Sequence, residues 1–279
     1  MKRIAGLREI ADRFDLFLVD QYGVLHDGVA AYPGAIDALA EMASCGRRIV
    51  VLTNSGKGAA ANIARLGALG FADSRLDAVV SSGEVALHYV KNGTLGPPFT
   101  VGAVACVIGR PGDAYAFSSD DFQLVARPQN AALLVFAGSD APRMSLEAYR
   151  RNLRSAAKAG VPAICINPDI TMIRDGALMP APGAIARVYQ DLGGAVEYIG
   201  KPYPLIFTHS IATAALGAGA RVVMIGDSPE HDVAGARAMG LSTLLVRTGI
   251  HGHLTEQELL RYCERCGGVP DFLMPAFQW

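Results

Sequence analysis

The sequence predicts an α/β chain, a doubly wound parallel sheet with a second α/β unit set into it. Three observations carry this expectation. Short unbroken apolar runs, such as residues 16–19 and 49–52, read as strands buried on both faces. They alternate with helical stretches closed by glycine, at Gly46, Gly70 and Gly240. The alternation breaks after residue 87 at a Gly/Pro-rich stretch, 92–98, and resumes near residue 196.

Taken in order, residues 3–13 read as a short amphipathic helix covering the sheet edge, and the first buried strand stops at Asp20. Turn formers fill 25–34, a helix covers 35–45, and a second strand runs from residue 47 into the polar turn Thr53-Asn54-Ser55-Gly56. A helix at 58–69, a short strand at 79–83 and a helix at 84–91 follow. In the middle, 104–108 and 132–136 read as strands, 145–159 as a helix, 161–169 as a strand broken at Asn167-Pro168-Asp169, and 182–192 as a helix. The first pattern then returns. A strand at 196–199 ends in Gly200-Lys201-Pro202, a helix covers 204–216, and a strand at 221–228 ends in an acid. A helix at 232–239, a strand at 242–246, a helix at 254–264 and a final edge strand at 270–274 complete the chain. The expected division is a core of 1–87 and 186–279 with an insert of 88–185.

Composition narrows the function classes. A chain of 279 residues, 51% hydrophobic, can bury one large or two medium cores. With 25 Lys+Arg against 26 Asp+Glu the net charge is -1, so no basic surplus draws it to nucleic acid or an anionic membrane. No apolar window is long enough to span a bilayer, and the charged N-terminus does not resemble a signal peptide. Five cysteines suit a reducing compartment, so a cytoplasmic location is expected. Cys263 and Cys266 form one CxxC without a second pair, and His251-Gly252-His253 has metal-like spacing without further ligands. Gly56-Lys57-Gly58 lacks the upstream glycine of a P-loop, since residue 51 is Val, and no GxGxxG follows the first strand.

Ligands in open α/β sheets bind just beyond the carboxyl ends of the strands. Four such ends here offer Asp20, Thr53 with Asn54, Lys201, and Asp227 with Asp232. Each residue type suits phosphoryl transfer. A carboxylate is a nucleophile toward phosphorus. A hydroxyl and backbone N–H groups at a helix start can hold phosphate oxygens. A lysine offsets the charge of nucleophile and phosphoryl group. Further carboxylates hold a hard cation such as Mg²⁺ through oxygen. Asp227 and Asp232 are five positions apart, one on a turn and one near a helix start, so both can face one site.

The order Asp20-x-x-Gly-Val, Leu52-Thr53-Asn54, Gly200-Lys201-Pro202 and Gly226-Asp227-Ser228-x-x-x-Asp232 resembles the four motifs of the haloacid dehalogenase (HAD) superfamily. The insert between the second and third motifs, with Asn167-Pro168-Asp169 and Pro182-Gly183-Ala184-Ile185, is similar to the cap of subfamily IIA, the NagD-like and nitrophenylphosphatase-like branch. The resemblance covers nearly the whole chain. It implies a Rossmann-like doubly wound parallel sheet core with an inserted α/β cap domain, and a Mg²⁺-dependent phosphatase acting on a small phosphorylated metabolite. On this resemblance Asp20 is the nucleophile and a Mg²⁺ ligand, Thr53 and Asn54 bind phosphate, and Gly23 leaves room for it. Lys201 stabilises nucleophile and phosphate, the backbone carbonyl of Tyr22 and the carboxylate of Asp227 ligate the metal, and Asp232 ligates or orients it. Caps in this branch often mediate dimers, so a homodimer is the expected assembly.

One position departs from the family pattern. HAD phosphatases carry a second Asp two residues after the nucleophile, which protonates the leaving oxygen and later activates water, whereas here that residue is Tyr22. Such an acid/base contributes about 10²–10⁴-fold, or roughly 3–5.5 kcal/mol of barrier. Three readings follow: a phosphatase for esters with good leaving groups, a site in which another residue such as His26 or Asp27 supplies the proton, or a phosphate-binding module with little turnover. The Tyr22 phenol, with an ordinary pKa of about 10, is a weak acid and a poor base at neutral pH.

Overall fold

A buried apolar run must pair its backbone N–H and C=O groups, and in this chain the runs do so mainly in two sheets. The computed structural model of the chain describes residues 1–71, 76–174 and 176–279. Its first stretch contains β1 (Lys2–Arg3), β2 (Leu16–Asp20), α1 (Ala35–Ser44), β3 (Arg48–Thr53), α2 (Ala59–Ala68) and β4 (Ala78–Ser81). The middle contains α3 (Ser82–Lys91), β5 (Val104–Ile108), β6 (Gln123–Leu124), β7 (Leu133–Phe136), α4 (Leu146–Lys158) and β8 (Ala163–Cys165). It continues with β9 (Thr171–Arg174), β10 (Ala177–Pro180), α5 (Pro182–Asp191) and β11 (Val196–Tyr198). The last stretch contains α6 (Pro204–Thr213), β12 (Val222–Gly226), α7 (Ala234–Ala238), β13 (Ser242–Val246), α8 (Glu256–Cys266) and β14 (Phe272–Met274).

Two compact units result. The first comprises Met1–Thr53, Ala59–Val80 and Lys201–Trp279. Its sheet has the order β1-β14-β13-β12-β2-β3-β4. Pairing is parallel from β1 across to β3. Successive side chains of a strand point to opposite faces, and both faces are covered. Leu244 and Val246 of β13 pack in one cluster with Leu39 and Met42 of α1, while Leu245 between them packs with Leu259 and Cys263 of α8. The sheet is therefore wound with helices on both sides, as the unbroken apolar runs led one to expect. Register brings the strand ends level, since Val19 of β2 lies opposite both Val51 of β3 and Ile225 of β12. Asp20, Thr53 and Asp227 thus leave the sheet at the same end.

The second unit comprises Asn54–Gly58 and Ser81–Gly200. Its parallel sheet has the order β11-β8-β7-β5-β6, and β9 and β10 form an antiparallel hairpin beside it in sequence. Phe136 of β7, Leu153 of α4 and Ile185 and Tyr189 of α5 share its core. Its bounds differ from the 88–185 span drawn from sequence, because α5 packs on this sheet and the Ser82 hydroxyl of α3 donates to the Ile166 carbonyl at 2.5 Å.

Two local expectations change. Residues 3–13 form β1 and two short 3₁₀ turns, Leu7–Glu9 and Ala11–Arg13, in place of one helix. The cause is an extended Gly6, where a Cβ would fall 2.4 Å from the Trp279 carbonyl oxygen, and the Leu7 N–H bond to the Gln278 carbonyl. Strand β14 is not at an edge, because β1 pairs outside it. No helix among the described residues is long and apolar enough to cross a membrane.

Phe17 lies in β2 with no exposed surface. Phe17→Ala is expected to destabilise the protein by about 3–5 kcal/mol, read from the midpoint of urea unfolding. A loss below about 1 kcal/mol would contradict the central place given to β2.

Candidate active site

The site grows from the carboxyl ends of β2 and β12. Asp20 is the last residue of β2, and its Oδ1 lies 2.5 Å from Nζ of Lys201. The same ammonium lies 2.7 Å from Oδ1 of Asp232. Asp232 reaches it through one wide, π-helical turn, Pro229–Val233, placed just before α7. That turn folds the carboxylate back over β12, where the Ser228 N–H donates to its Oδ2 at 3.0 Å. The position beneath must be glycine, since a Cβ on Gly226 would fall 2.1 Å from Cγ of Asp232. Asp227 follows β12 directly, and its Oδ2 accepts from the Ile250 N–H at 3.2 Å. Ligand oxygens of Asp20, Asp227 and Asp232 all lie within 4.8 Å of one another, and among the described residues this is the one such cluster of potential metal ligands.

Three carboxylates and one ammonium share this buried space, where no member is more than 8% exposed. Burial works against the Lys201 charge, but Asp20 and Asp232 outweigh it and hold the ammonium above the usual lysine range. Burial pushes the Asp20 carboxyl up to about 7, with Lys201 opposing the rise and Asp232 adding to it. Asp227 is raised well above the usual carboxylate range, first by burial and then by the charges of Asp20 and Asp232. When ionised, the cluster carries two negative charges in excess. A divalent cation balances that excess, and an all-oxygen donor set suits a hard ion such as Mg²⁺. The residues present fit such an ion, and Asp20, Asp227 and Asp232 are those that could hold it.

The other residues singled out from sequence are placed as follows. Gly23 lies against Asp227, and a Cβ there would fall 2.3 Å from Oδ2 of that residue, so the room it leaves is taken by a carboxylate. Thr53 ends β3 and is buried. Asn54, the first residue of the second unit, donates from Nδ2 to Oδ1 of Asp169 at 2.8 Å within that unit. The Tyr22 ring meets the His26 ring edge-on, with centroids 5.8 Å apart and planes at 88°. Burial raises the Tyr22 phenol above its ordinary pKa, and neighbouring Tyr32, Asp27 and Asp227 add to the rise.

His26 and Asp27 are both engaged in holding their own loop. His26 is 2% exposed, its Nδ1 accepts from the Gly28 N–H at 3.0 Å, and its Nε2 faces the Gln21 amide at 3.2 Å. Burial pushes its pKa down to about 4, so the ring is neutral. Asp27 accepts from the N–H groups of Val29 and Ala30, both at 2.8 Å, an Asx turn that keeps its carboxyl below the usual range. Elsewhere, His251 lies 3.3 Å from Glu230 rather than in a metal cluster, and Cys263 and Cys266 are free thiols on α8. Sequence reasoning passes over the loop after β13, Thr248-Gly249-Ile250, which closes on Asp227. Its one signal was a polar Thr-Gly at the carboxyl end of a parallel strand.

A parallel α/β core with a carboxylate–lysine cluster at its strand ends defines a class of phosphoryl-transfer and related hydrolytic folds, and comparison with known proteins narrows it. A family model described as haloacid dehalogenase-like hydrolase matches residues 17–123, and one described as HAD-hydrolase-like matches residues 198–265. A dihydroxyacetone phosphatase of Corynebacterium glutamicum is 30% identical over 254 residues, covering 88% of this chain and 84% of that protein. The crystal structure of a haloacid dehalogenase-like hydrolase from Brucella suis matches with a TM-score of 0.81 at 27% identity, covering 98% of this chain and 99% of the other. That of a glycerol phosphate phosphatase from Mycobacterium tuberculosis in complex with magnesium matches with a TM-score of 0.72 at 25% identity, covering 95% and 76%. The chain belongs to the haloacid dehalogenase-like hydrolases, in their subfamily IIA.

The electrostatics make a pH prediction. A carboxyl with a folded pKa of about 7 and an unfolded value of about 3.9 binds its proton more tightly when folded. Its contribution therefore favours folding at low pH and is lost as pH rises through that window. Thermal unfolding in chelator is expected to show wild type losing stability relative to Asp20→Asn between about pH 4 and 7. Mg²⁺ should restore more stability at pH 8 than at pH 5. A pH-independent difference between the two proteins would contradict the buried-charge account.

Proposed function

We propose that this chain is a Mg²⁺-dependent phosphatase that acts on a small phosphorylated metabolite through an aspartyl-phosphate on Asp20. The observation that carries the reading is the buried cluster in which Lys201 bridges Asp20 and Asp232, with Asp227 beside them. Relatives described as phosphatases, and one solved with magnesium, support it.

The chain's own groups divide the work. An Asp20 carboxylate oxygen attacks phosphorus in line, forming a new P–O bond as the bond to the leaving oxygen breaks. Water then attacks the aspartyl-phosphate and releases inorganic phosphate and free Asp20. Lys201 fixes the Asp20 carboxylate and offsets charge on the phosphoryl group. Thr53 and Asn54 hold phosphate oxygens, and Gly23 keeps the adjoining wall clear of a side chain. Asp20, Asp227, Asp232 and the Tyr22 carbonyl would hold the cation, which when bound would supply positive charge against that developing on the phosphoryl oxygens. The inserted unit is assigned the role of the family's cap, the part that selects substrate.

Tyr22 sets the limits of this chemistry. It stands where a phosphatase of this branch has its proton donor, and His26 and Asp27 are engaged in their own loop. The leaving oxygen must therefore depart with little help, which favours aryl and acyl phosphates over alkyl esters. The same substitution favours a second reading, a catalytically weak phosphate- or metabolite-binding protein.

Mg²⁺-dependent hydrolysis of an aryl phosphate and an alkyl phosphate separates these. Turnover is expected on the aryl ester, absent in Asp20→Asn. Tyr22→Asp should extend it to the alkyl ester by about 10²–10⁴-fold. Equal wild-type rates on both esters would contradict the missing-acid account, and full activity in Asp20→Asn would sink the mechanism.

A further inference from the structure

The Asp227 carboxylate packs against two glycines from distant parts of the chain. A Cβ on Gly23 would fall 2.3 Å from its Oδ2 and 2.4 Å from its Cγ. Beside it, a Cβ on Gly249 would fall 1.8 Å from the same Oδ2 and 2.9 Å from the Cα of Gly23. Both glycines have left-handed backbone, with φ of 87° and 69°. The two segments are tied together, because the Thr248 hydroxyl donates to the Gly23 carbonyl. The Ile250 N–H donates to Oδ2 of Asp227 at 3.2 Å, and the Gly249 N–H donates to the Tyr32 hydroxyl at 3.3 Å. Past the turn, His251 lies 3.3 Å from Glu230, on the wide turn that carries Asp232. One short segment is thereby fixed to both sides of the carboxylate cluster.

We infer that Thr248-Gly249-Ile250 is a positioning turn that presets Asp227 for a divalent cation. This rests on the reading of Asp227 as a cation ligand and adds three residues to it. The terminal torsion of an aspartate is soft, so the carboxylate plane rotates at little cost. Repulsion from Asp20 and Asp232 would turn Asp227 away from its neighbours in the absence of the ion. The two glycine backbones crowd Oδ2 and restrict that rotation, and the Ile250 N–H bonds the same oxygen. Thr248 acts through Gly23, whose backbone packs beside Gly249 against the Asp227 carboxylate. Ligands are useful only within a few tenths of an ångström of their binding geometry, so a residue that fixes this packing also fixes the affinity.

The test is calorimetric titration of the metal-free protein with Mg²⁺, alongside thermal unfolding in chelator, for wild type, Thr248→Val and Thr248→Ser. Outer partners of metal ligands typically change affinity by about 10–100-fold. Thr248→Val is expected to raise the Mg²⁺ Kd by about 10-fold or more, and Thr248→Ser, which keeps the hydroxyl, to restore it. Gly249→Ala should weaken binding at least as far, with its fold checked by circular dichroism. A merely structural role predicts a lower unfolding temperature in chelator with the Kd unchanged in Thr248→Val, and that outcome overturns the inference. Failure of Thr248→Ser to restore the Kd overturns it too. Absence of Mg²⁺ binding in wild type overturns the cation reading itself and this inference with it, whereas wild-type binding matched by Thr248→Val removes the inference alone.

Discussion

The arrangement depends on one buried ammonium shared by two carboxylates. Lys201 is 2% exposed and lies between Asp20 and Asp232, with Asp227 close by. Removing charges from water costs several kcal/mol per ion, and only close opposite charge and hydrogen bonds offset it. One lysine cannot offset three carboxylates. The cluster is therefore incomplete as a purely structural device and makes physical sense as a receptor for further positive charge. The surrounding fold serves this imbalance. Level strand ends bring Asp20 and Asp227 out side by side, and a wide turn returns Asp232 over Gly226. Glycines at 23, 226 and 249 leave space for carboxylates that any larger residue would displace.

The first loop after β2 extends the same logic. His26 follows Asp20 by six positions, near enough in sequence to be a candidate acid or base. Here the His26 ring is buried, neutral and bonded on both nitrogens, and it supports the turn beneath Tyr22. Tyr22 in turn lies against Gly28, where a Cβ would fall 3.1 Å from its ring. The loop thus seats an aromatic side chain beside the carboxylates instead of presenting a second acid. On the proposed function, that arrangement separates nucleophilic attack, assigned to Asp20, from protonation of a poor leaving group, for which this loop offers His26 and Asp27 already engaged in their own turn.

Much of the core was legible in the sequence because buried parallel strands announce themselves as apolar runs, and an acid at the end of such a run has few structural reasons to be there. Asp20 and Asp227 end such runs, and the structure brings them together with Lys201 and Asp232. The short β6 and the β9–β10 hairpin were not, because their residues are largely exposed or half-buried and carry no apolar run. The helix expected over 3–13 failed for a tertiary reason, since its backbone groups bond to the C-terminal tail. Thr248-Gly249-Ile250 escaped notice because its role exists only where segments more than two hundred residues apart meet, as in the Thr248 bond to Gly23. A glycine required by a distant carboxylate looks, in sequence, like any turn glycine.

The central claim is that this cluster is short of two positive charges and accepts a divalent cation to supply them. Counting the protons displaced when Mg²⁺ binds, by calorimetry in buffers of different ionisation enthalpy, tests it most directly. The account predicts proton release at pH 6.5 that shrinks as pH rises, because Asp20 and Asp227 both hold their protons above the usual carboxylate range, and a smaller release in Asp227→Asn. Mg²⁺ binding without proton release, and unaffected by Asp227→Asn, would place the cation elsewhere and contradict the account.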